Sequence, residues 1–594
     1  MKQLHSMKVP PRTKPLTTVY GDFKGVDFSK DPLLVDKSRS PYAVNVISDK
    51  GGQPEKRVGW RVLHTIEQPV NALAYGFING AETFIAHGGT KLYKWTKEGV
   101  TVIKDGINNA KSSVFFMQHQ NKSKLFILTG REYLMYDGTT VKSAEEEATI
   151  PTILIARKPI GGGIILQPIN MIQPKRTERF YGDGTATVYQ LSANNIDTAA
   201  VSVVKITASG QTTLTENKDF TVDRTAGKVK FNTAPPSPVV SGEDNVYITY
   251  SKTVSGYADR VKKCRTSAYY GLGGSNRIFI TRNPDYKSQD WWCEINDPAY
   301  FPDLNYAVIG NDNTAIMGYS KIGEYLVISK EDNQQDTTHF TRAAMMIDGV
   351  ATFPIKPSIT GVGVVAPYSL VNFIDEPLFL SRKGIFAITS NIVTNRDTPQ
   401  NRSSFIDNRL TEEPNLQNAV AVEWNGYYVL SVNGNVYLLD SRQKSIDRDS
   451  SFVYECYFWN NVHANCFLVH DGELYFGTPT GQICKFNSDI DNMARFNDNG
   501  QAITAIWSTK MDNDGIPERL KTMNKKGCLV TLKPLTRSGI KLSVKTEKDT
   551  LPKLIREASA GIFNSWDSEI DFDGFSFISN DNARTIVIKK KEKK

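Results

Sequence analysis

Short apolar runs recur in pairs along this 594-residue chain, each pair separated by a few turn residues. Clear copies read FIAHGGTKLYKW, LFILTGREYLMYDG, LFLSRKGIFAITS, YYVLSVNGNVYLLD and LYFGTPTGQICKF. Two such runs joined by a turn that carries Gly, Asn or Thr predict a β-hairpin. The predicted hairpins begin at Phe84, Leu125, Ile278, Tyr325, Leu378, Tyr427 and Leu474.

The spacing of these hairpins predicts the fold. Most neighbouring starts lie about 40 to 55 residues apart, which is the repeat length of four-stranded propeller blades. The interval from Leu125 to Ile278 is longer by about a hundred residues and indicates an insertion. We therefore predict an all-β protein, a β-propeller of about seven blades. The strand-like segment Arg57–Thr65 precedes the first hairpin and is a candidate for the strand that closes the ring.

Changes of pattern divide the chain into five parts. Residues 150–262 alternate apolar and polar positions between Gly-rich and Pro-rich turns, which predicts an inserted antiparallel sandwich. Two long loops, 281–303 and 389–414, are typical of contact surfaces. Helix is predicted only around 551–559, LPKLIREAS. The predicted parts are an N-terminal arm with the closing strand (1–65), the first blades (66–149), the insert (150–262), the later blades (263–490) and a C-terminal β-domain with a basic tail (491–594).

Composition and charge narrow the possible functions only slightly. The formal net charge of +8 is small for this length and does not establish nucleic-acid binding. Basic residues cluster at Lys50–Arg61 and Lys262–Arg265, where a solvated face is the simpler interpretation than phosphate contact. No apolar stretch reaches the roughly 20 residues of a membrane span, and the N-terminal residues lack the apolar core of a secretory signal. The six dispersed cysteines suit buried thiols at least as well as disulfides.

The chain carries no local signature of catalysis, and we predict neither an enzyme nor a cofactor or metal site. Trp291 and Trp292, with Tyr300, are candidates for a sugar-stacking platform, although blade core is the simpler interpretation. Met511–Glu518 lacks the spacing of a calcium loop and predicts an Asx-rich turn. His463 and His470 bracket an apolar run and need not share a metal. Gly161–Gly163 lacks the residues of a phosphate loop, and carboxylate pairs that meet only in space remain possible.

Two segments resemble parts of phage virion proteins. The region before the first hairpin resembles the opening of phage tail and neck proteins, in which an Asn, then Gly, then a Lys-Arg-x-Gly-aromatic run follow closely. The matching residues are Asn45, Gly51-Gly52 and Lys56-Arg57-Val58-Gly59-Trp60. The insert is similar to a small sandwich that recurs in virion proteins, through Gly182-Asp183-Gly184, Phe220, Val222-Asp223, Phe231, Ala234-Pro235-Pro236 and Tyr247–Tyr250.

The order of propeller, insert, propeller and terminal β-domain is similar to the tail nozzle (tail tubular protein B-like) of short-tailed phages. The resemblance covers about a fifth of the chain and leaves the C-terminal part unmatched. It implies a virion structural protein in a homo-oligomeric ring, a hexamer, below the portal and its adaptor. It further implies that double-stranded DNA passes through the channel between subunits, that distal loops retain the genome, and that assembly occurs in the bacterial host cytoplasm without membrane insertion.

Two other classes of function stay open at this point. One is a receptor-binding or glycan-binding propeller at the tail tip, which depends on exposed aromatic residues in the loop 281–303. The other is a polysaccharide hydrolase, which no local motif supports.

Overall fold

A computed structural model describes residues 17–50, 52–374, 376–391, 396–446, 452–488, 493–513, 515, 528–532, 539–559 and 584–588. The part before the insert contains four strands of the N-terminal segment and the first two blades. These strands are β1 (Ala43–Val44), β2 (Val46–Lys50), β3 (Gln53–Lys56), β4 (Trp60–Thr65), β5 (Val70–Ile78), β6 (Ala81–Gly88), β7 (Lys91–Trp95), β8 (Val100–Lys104), β9 (Ser113–His119), β10 (Lys122–Leu128), β11 (Tyr133–Tyr136) and β12 (Val141–Ser143).

The insert follows and ends in a short helix that leads back to the ring. Its elements are β13 (Thr152–Arg157), β14 (Ile164–Ile165), β15 (Lys175–Phe180), β16 (Val188–Gln190), β17 (Ser202–Thr207), β18 (Gly210–Leu214), β19 (Phe220–Asp223), β20 (Lys228–Phe231), β21 (Val246–Ser251) and α1 (Tyr257–Lys262).

The ring then continues through five more blades. Its elements are β22 (Thr266–Tyr270), β23 (Arg277–Thr281), β24 (Gln289–Trp292), β25 (Tyr306–Val308), β26 (Ile316–Ile322), β27 (Tyr325–Lys330), β28 (Thr337–Arg342), β29 (Met345–Ile347), β30 (Val350–Thr352), β31 (Ile355–Thr360), β32 (Val371–Phe373), β33 (Glu376–Ser381), β34 (Gly384–Asn391), β35 (Arg396–Asn401), α2 (Asp407–Leu410), a 3₁₀ turn (Leu416–Asn418), β36 (Val420–Trp424), β37 (Tyr427–Val432), β38 (Asn435–Ile446), β39 (Phe452–Trp459), β40 (Cys466–His470), β41 (Glu473–Gly477) and β42 (Gln482–Phe486).

The described C-terminal residues form short strands. They are a 3₁₀ turn (Met493–Phe496), β43 (Asn497–Asp498), β44 (Gln501–Ala502), β45 (Ile506–Trp507), β46 (Cys528–Leu532), β47 (Gly539–Val544), β48 (Lys553–Ser559) and β49 (Arg584–Ile588). β46 pairs with β49, and β47 pairs with β48. The helix predicted at 551–559 is therefore wrong, because Lys553–Ser559 is held as a strand by its antiparallel partner Gly539–Val544.

Seven four-stranded antiparallel sheets in the described part of the chain are the blades of a β-propeller, as predicted. Blades 1 to 6 are β5–β8, β9–β12, β22–β25, β26 with β27, β28 and β31, β32–β35 and β36–β39. Each predicted hairpin start lies in the second strand of its blade. Buried apolar side chains fill every space between neighbouring blades, including the space between the seventh and the first. The ring is thus continuous.

Blade 7 combines both ends of the propeller sequence. β40, β41 and β42 form its inner three strands, and β4 adds the outer one by pairing Trp60 with Phe486 and Thr65 with Gln482. The prediction that the segment 57–65 closes the ring is confirmed for its strand Trp60–Thr65.

Asn-Gly and Asp-Gly turns explain why the hairpins form locally. Both residues have positive φ in Asn79-Gly80, Asn425-Gly426, Asn433-Gly434 and Asp471-Gly472. Two central residues with positive φ define the type I′ turn, whose twist matches that of paired strands. The hydrophobic runs on either side then pair directly across each turn.

The insert is a sandwich of two sheets, as predicted, but it is not wholly antiparallel, because β13 and β15 pair in parallel. Its larger sheet has the order β14-β13-β15-β21-β17-β18, and the smaller has the order β16-β20-β19. Apolar side chains from both sheets, such as Phe180, Phe231 and Ile248, form one buried cluster. Within the range 150–262, however, Met171 and Ile172 pack into the core between blades 2 and 3. The segment that connects β14 to β15 therefore packs against the ring.

The two predicted long loops contain regular structure. The loop 281–303 includes β24, the third strand of blade 3, and the loop 389–414 includes β35, the fourth strand of blade 5. Both strands are short or rich in polar residues, so apolar periodicity did not mark them.

Candidate functional site

The motif residues before the ring meet around the buried guanidinium of Arg57. This side chain is fully buried, and each of its five N–H donors has an acceptor. Arg57 donates to the Asp498 carboxylate at 2.8 and 2.6 Å and to the Asn45 Oδ1 at 2.9 Å. The remaining two donors reach the carbonyl oxygens of Val58 at 3.0 Å and Asn460 at 2.9 Å. We call Asn45, Arg57, Asn460, Asn461 and Asp498 the Arg57 cluster.

Asn45 connects three distant segments within the Arg57 cluster. Its backbone is left-handed, with φ of 57°, a region that Asn tolerates better than most residues. Its Nδ2 donates to Asn460 Oδ1 at 2.7 Å and to the Thr504 carbonyl oxygen at 3.0 Å. Its Oδ1 accepts from the backbone N–H of Asn460 at 3.0 Å. Asn461 adds a hydrogen bond from Nδ2 to Asp498 at 3.0 Å.

Gly59 and Trp60 of the same motif hold the closing strand β4 in position. A Cβ atom on Gly59 would lie 1.9 Å from the carbonyl oxygen of Asn497, so no larger residue fits without a backbone shift. Trp60 donates its Nε1 hydrogen to the Asn461 carbonyl oxygen at 3.0 Å and packs edge-on against Phe476. Gly52 has φ of +71° and accepts the backbone N–H of Phe23 at 2.9 Å. The residues of this motif are therefore explained by their structural role in closing the ring.

A polar cavity of about 200 Å³ adjoins the Arg57 cluster. It is lined by Asn45, Asn460, Asn461, Asp498, Gln501, Ala502, Ile503 and Thr504. Most of these polar groups already bond to one another or to Arg57, so the cavity presents few free donors or acceptors for a ligand.

Several residues of the two basic clusters noted in the sequence are paired or buried, whereas Arg61 is exposed. Arg57 has no access to phosphate, because it is enclosed with Asp498. Burial lowers the pKa of the neighbouring Lys56. In the second cluster, Lys262 pairs with Glu145 at 2.7 Å, and Lys263 pairs with Asp285 at 2.8 Å.

Trp291, Trp292 and Tyr300 do not form an exposed platform. Trp291 is fully buried in the core between blades 2 and 3. Trp292 stacks on Phe279 with ring centroids 5.3 Å apart and is covered further by Phe353. Tyr300 is buried and donates its hydroxyl to the Pro168 carbonyl oxygen at 2.7 Å. The simpler interpretation, blade core, is therefore correct for Trp291 and Tyr300, and the half-buried Trp292 alone offers no sugar-stacking platform.

The remaining sequence candidates also have structural partners. His463 packs against Gly434, and the His470 ring lies 3.7 Å from that of Tyr75, so the two histidines have separate surroundings. In the segment Met511–Glu518, Asn513 accepts the N–H of Gly515 at 3.0 Å, as an Asx turn requires, while Asp514 and 516–518 lie outside the described residues. Among described residues, no cluster of His, Cys, Asp and Glu suits a metal.

The described thiols are free and protected from reaction. Cys264, Cys293, Cys456 and Cys484 are buried, and Cys466 is half-buried. Burial raises the pKa of the Cys293, Cys466 and Cys484 thiols to about 12. A thiol with so high a pKa is protonated near neutral pH and is a weak nucleophile. The side chain of Cys528 lies outside the described residues.

Sequence reasoning missed a cationic group at the axial opening of the propeller. The Lys111 Nζ lies 5.0 Å from the centroid of the Tyr368 ring and 3.4 Å from the Asn418 carbonyl oxygen. The Arg282 guanidinium lies 5.3 Å from the same ring centroid. Lys111 precedes blade 2, whereas Tyr368 and Asn418 precede blades 5 and 6, so the lysine reaches across the axis. Isolated residues at non-repeating positions leave no sequence signal for such a group.

A second missed feature is an exposed apolar stretch at the side of the ring. Ile160, Ile164, Ile165 and Leu166 are exposed around the edge strand β14, and Leu304, Tyr306 and Val308 are exposed on and before β25. A hydrogen bond of 2.9 Å from Asp303 N–H to the Ile169 carbonyl oxygen joins the two segments. We call these seven exposed residues the lateral apolar surface.

Comparisons with known proteins assign no family. No protein-family model matches the chain, and no curated protein matches it. The chain is similar to the solved structure of virginiamycin B lyase from Staphylococcus aureus, with 9% identity over 72% of this chain and 98% of that chain and a TM-score of 0.34. It is also similar to BamB from Moraxella catarrhalis, with 11% identity over 72% of this chain and 99% of that chain and a TM-score of 0.29.

No helix in the described residues is long and apolar enough to cross a membrane. The fold assignment follows from the seven blades, which form a closed ring, and from the inserted sandwich. The chain is a β-propeller with an inserted β-sandwich.

Proposed function

We propose that this protein is a structural component of a bacteriophage tail or neck that assembles into a closed ring of identical subunits, resembling a tail nozzle. The observation that carries the proposal is the Arg57 cluster. The residues that resemble phage tail and neck proteins, Asn45, Arg57, Gly59 and Trp60, are those that close the propeller. In this chain these residues serve one structural task, the closure of the ring.

The second resembling segment is also used structurally in this chain. Gly182 has no room for a Cβ atom, which would lie 2.7 Å from the Pro236 carbonyl oxygen. Asp183 accepts the backbone N–H groups of Thr185 and Ala186 at 2.8 and 2.7 Å. The matching residues thus shape the sandwich, which supports its likeness to sandwiches of virion proteins.

The lateral apolar surface supports self-association. An exposed edge strand bearing apolar side chains tends to pair with another chain. Repetition of one side-to-side contact around a rotation axis produces a closed ring. In the proposal six copies form this ring, which binds the portal or adaptor and other tail proteins. Double-stranded DNA passes through the channel between subunits, and the ring helps to retain the packaged genome.

Weak binding to DNA fits this arrangement. Of the two basic clusters, Arg57, Lys262 and Lys263 already have carboxylate partners within the subunit. These three charges are then not free to neutralise phosphates, and a conduit that releases DNA quickly requires low affinity. We expect little retention of the purified protein on a DNA column at physiological salt.

The experiment is electron microscopy of the purified protein, alone and mixed with portal and adaptor, together with sedimentation velocity. We expect closed rings. The double variant Ile165→Lys/Leu304→Lys should sediment as a monomer, because it puts charges into the apolar contact. The matched control is Val102→Lys, which charges an exposed apolar position on the outer strand of blade 1 and should leave the rings intact.

One result would refute the proposed ring, and a second would refute only its contact surface. A wild-type protein that stays monomeric at every concentration and binds no virion component would refute it. If the double variant Ile165→Lys/Leu304→Lys still forms rings, the subunits do not contact one another through the lateral apolar surface.

A further inference from the structure

The axial opening of the propeller holds two cations that share one aromatic ring. Lys111 and Arg282 lie 5.0 and 5.3 Å from the centroid of Tyr368. They come from different parts of the chain, the connection between blades 1 and 2 and the turn between β23 and β24. The fold therefore brings two like charges together where the seven inner strands converge.

Carboxylates do not balance these two charges in the part of the chain that the structure describes. The charged or ionisable neighbours of Lys111 are Arg282 and the thiol of Cys466, and neither supplies a negative charge near neutral pH. Buried arginines elsewhere in the ring have carboxylate partners. Arg342, for instance, pairs with Asp290 at 2.6 Å. Unlike these arginines, neither Lys111 nor Arg282 has a carboxylate partner among the described residues.

The backbone at Arg282 is also unusual. Its φ is 65°, in the left-handed region that bulky side chains rarely adopt. The next residue holds this conformation, because Asn283 donates its Nδ2 hydrogens to the carbonyl oxygens of Asp259 and Arg260, both at 3.0 Å. Uncommon backbone conformations of this kind concentrate at binding and active sites. Here the conformation places the guanidinium beside Tyr368 and Lys111.

Both cations keep hydrogen-bond donors available. An ammonium has three donors, and Lys111 makes one long contact, 3.4 Å, with a carbonyl oxygen. Arg282 makes one contact of 3.5 Å with the Thr266 hydroxyl. A small oxyanion between the two side chains would gain charge-assisted hydrogen bonds and remove their mutual repulsion.

We propose that the axial opening binds a small tetrahedral oxyanion of the phosphate class, held by Lys111 and Arg282 beside Tyr368. The site is distinct from the lateral apolar surface and does not depend on ring formation. A bound anion would link blades 2, 3 and 5 across the axis. It would thereby stiffen the face of the propeller that carries the connections between blades.

The affinity should depend on pH through Lys111. Burial lowers the pKa of this ammonium to about 8, with Arg282 acting in the same direction. The groups that face it are Arg282, Tyr368 and Cys466. The ammonium is charged below its pKa and neutral above it, so the anion should bind more tightly at pH 7 than at pH 9. Sulfate suits this test, because its own charge is constant over that range.

The experiment is isothermal titration of the wild-type chain with inorganic phosphate at pH 7, against chloride at matched ionic strength. We expect saturable binding of one phosphate per chain. Lys111→Met removes the charge and keeps the length of the side chain. Arg282→Asn removes the charge and keeps a residue that tolerates positive φ. Each variant should bind about tenfold more weakly or worse, whereas Lys104→Ala, an exposed lysine on β8, should bind as the wild type does.

A second measurement follows Lys111 directly, by NMR of reductively methylated lysines. Its titration midpoint should rise when phosphate is added, and the midpoints of exposed lysines should stay unchanged. The proposal is overturned if phosphate and chloride behave alike, or if folded Lys111→Met and Arg282→Asn bind phosphate as tightly as the wild type. If either variant fails to fold, the wild type alone tests the proposal: an unchanged titration midpoint of Lys111 on addition of phosphate would overturn it.

Discussion

The Arg57 cluster and the inserted sandwich hold the chain together by different means. The Arg57 cluster joins residues 45, 57, 460 and 498 through a buried ion pair and hydrogen bonds of defined geometry. The sandwich joins strands within about a hundred residues of chain, mainly by packing Phe180, Phe231 and Ile248. Its one buried ion pair, Arg157 with Glu178 at 3.1 Å, supplements this packing.

The difference reflects what each region must specify. Apolar packing is non-directional and tolerates several arrangements of similar volume. A saturated guanidinium accepts only the arrangement in which all five donors find partners. Closing a ring from segments about 440 residues apart requires such selectivity, whereas a sandwich built from neighbouring strands obtains its register from the connecting turns.

The largest expected effect comes from breaking the Arg57 cluster with Asp498→Ala. The change leaves a fully buried guanidinium without its carboxylate, and removing one partner of such a pair costs about 3–5 kcal/mol. Urea denaturation at equilibrium measures the loss. The control is Arg131→Ala at the exposed pair with Glu132, which should cost less than about 1 kcal/mol. Equal losses in the two variants would show that the Arg57 cluster does not select ring closure.

A slightly smaller and more local effect is expected for Ile248→Ala in the sandwich. Truncation of a fully buried isoleucine costs about 2–5 kcal/mol. Hydrogen exchange should accelerate in Val246–Ser251 while Tyr427–Val432 in blade 6 stays protected. Ile248→Val serves as the graded control, with a cost of about 0.5–1.5 kcal/mol. Acceleration in both segments would mean that the sandwich and the ring unfold as one unit, contrary to the comparison.

The smallest expected effect for a single residue concerns pH, which should distinguish the ring from the sandwich. Burial lowers the pKa of His87 and His339, both in the ring, to about 4, and residues 150–262 contain no histidine. Between pH 6.5 and 4 the unfolded chain binds protons that the folded ring does not, so stability falls as pH falls. At pH 5 the loss is about 2 kcal/mol for each histidine.

Hydrogen exchange at pH 7 and pH 5, corrected for intrinsic rates, checks this expectation. Protection should weaken in the ring and persist in the sandwich. His87→Gln should remove part of the dependence, since the neutral side chain retains partners for the contacts with Ser112 and Gly89. A sandwich that loses protection as steeply as the ring would contradict the assignment.

Much of the fold could be predicted because its determinants are local. An Asn-Gly turn such as Asn433-Gly434 sets the twist of the strands on either side. Alternation of apolar residues in Phe220–Asp223 and Lys228–Phe231 likewise marks one face of a sheet. The strand Lys553–Ser559 was mistaken for a helix because a short apolar run has no decisive period, and its partner strand decided its conformation.

The sites were much less predictable. The sequence favoured blade core for Trp291 but left an exposed platform open, and only the packing of blade 3 against blade 2 shows that it is enclosed. Lys111 and Arg282 belong to no motif, and only the circular arrangement of blades brings them to one ring. Exposure and proximity across an axis depend on every intervening element, so no local pattern encodes them.

By itself, the sequence determined where hairpins form, that they repeat as blades, and that a sandwich interrupts them. These properties follow from turn chemistry and apolar periodicity over a few residues. Only the tertiary structure decided that Arg57 meets Asp498, that the blade core encloses Trp291 and that Lys111 reaches Tyr368. Those outcomes depend on which distant segments become neighbours, and the closed ring of blades selects them by packing and charge.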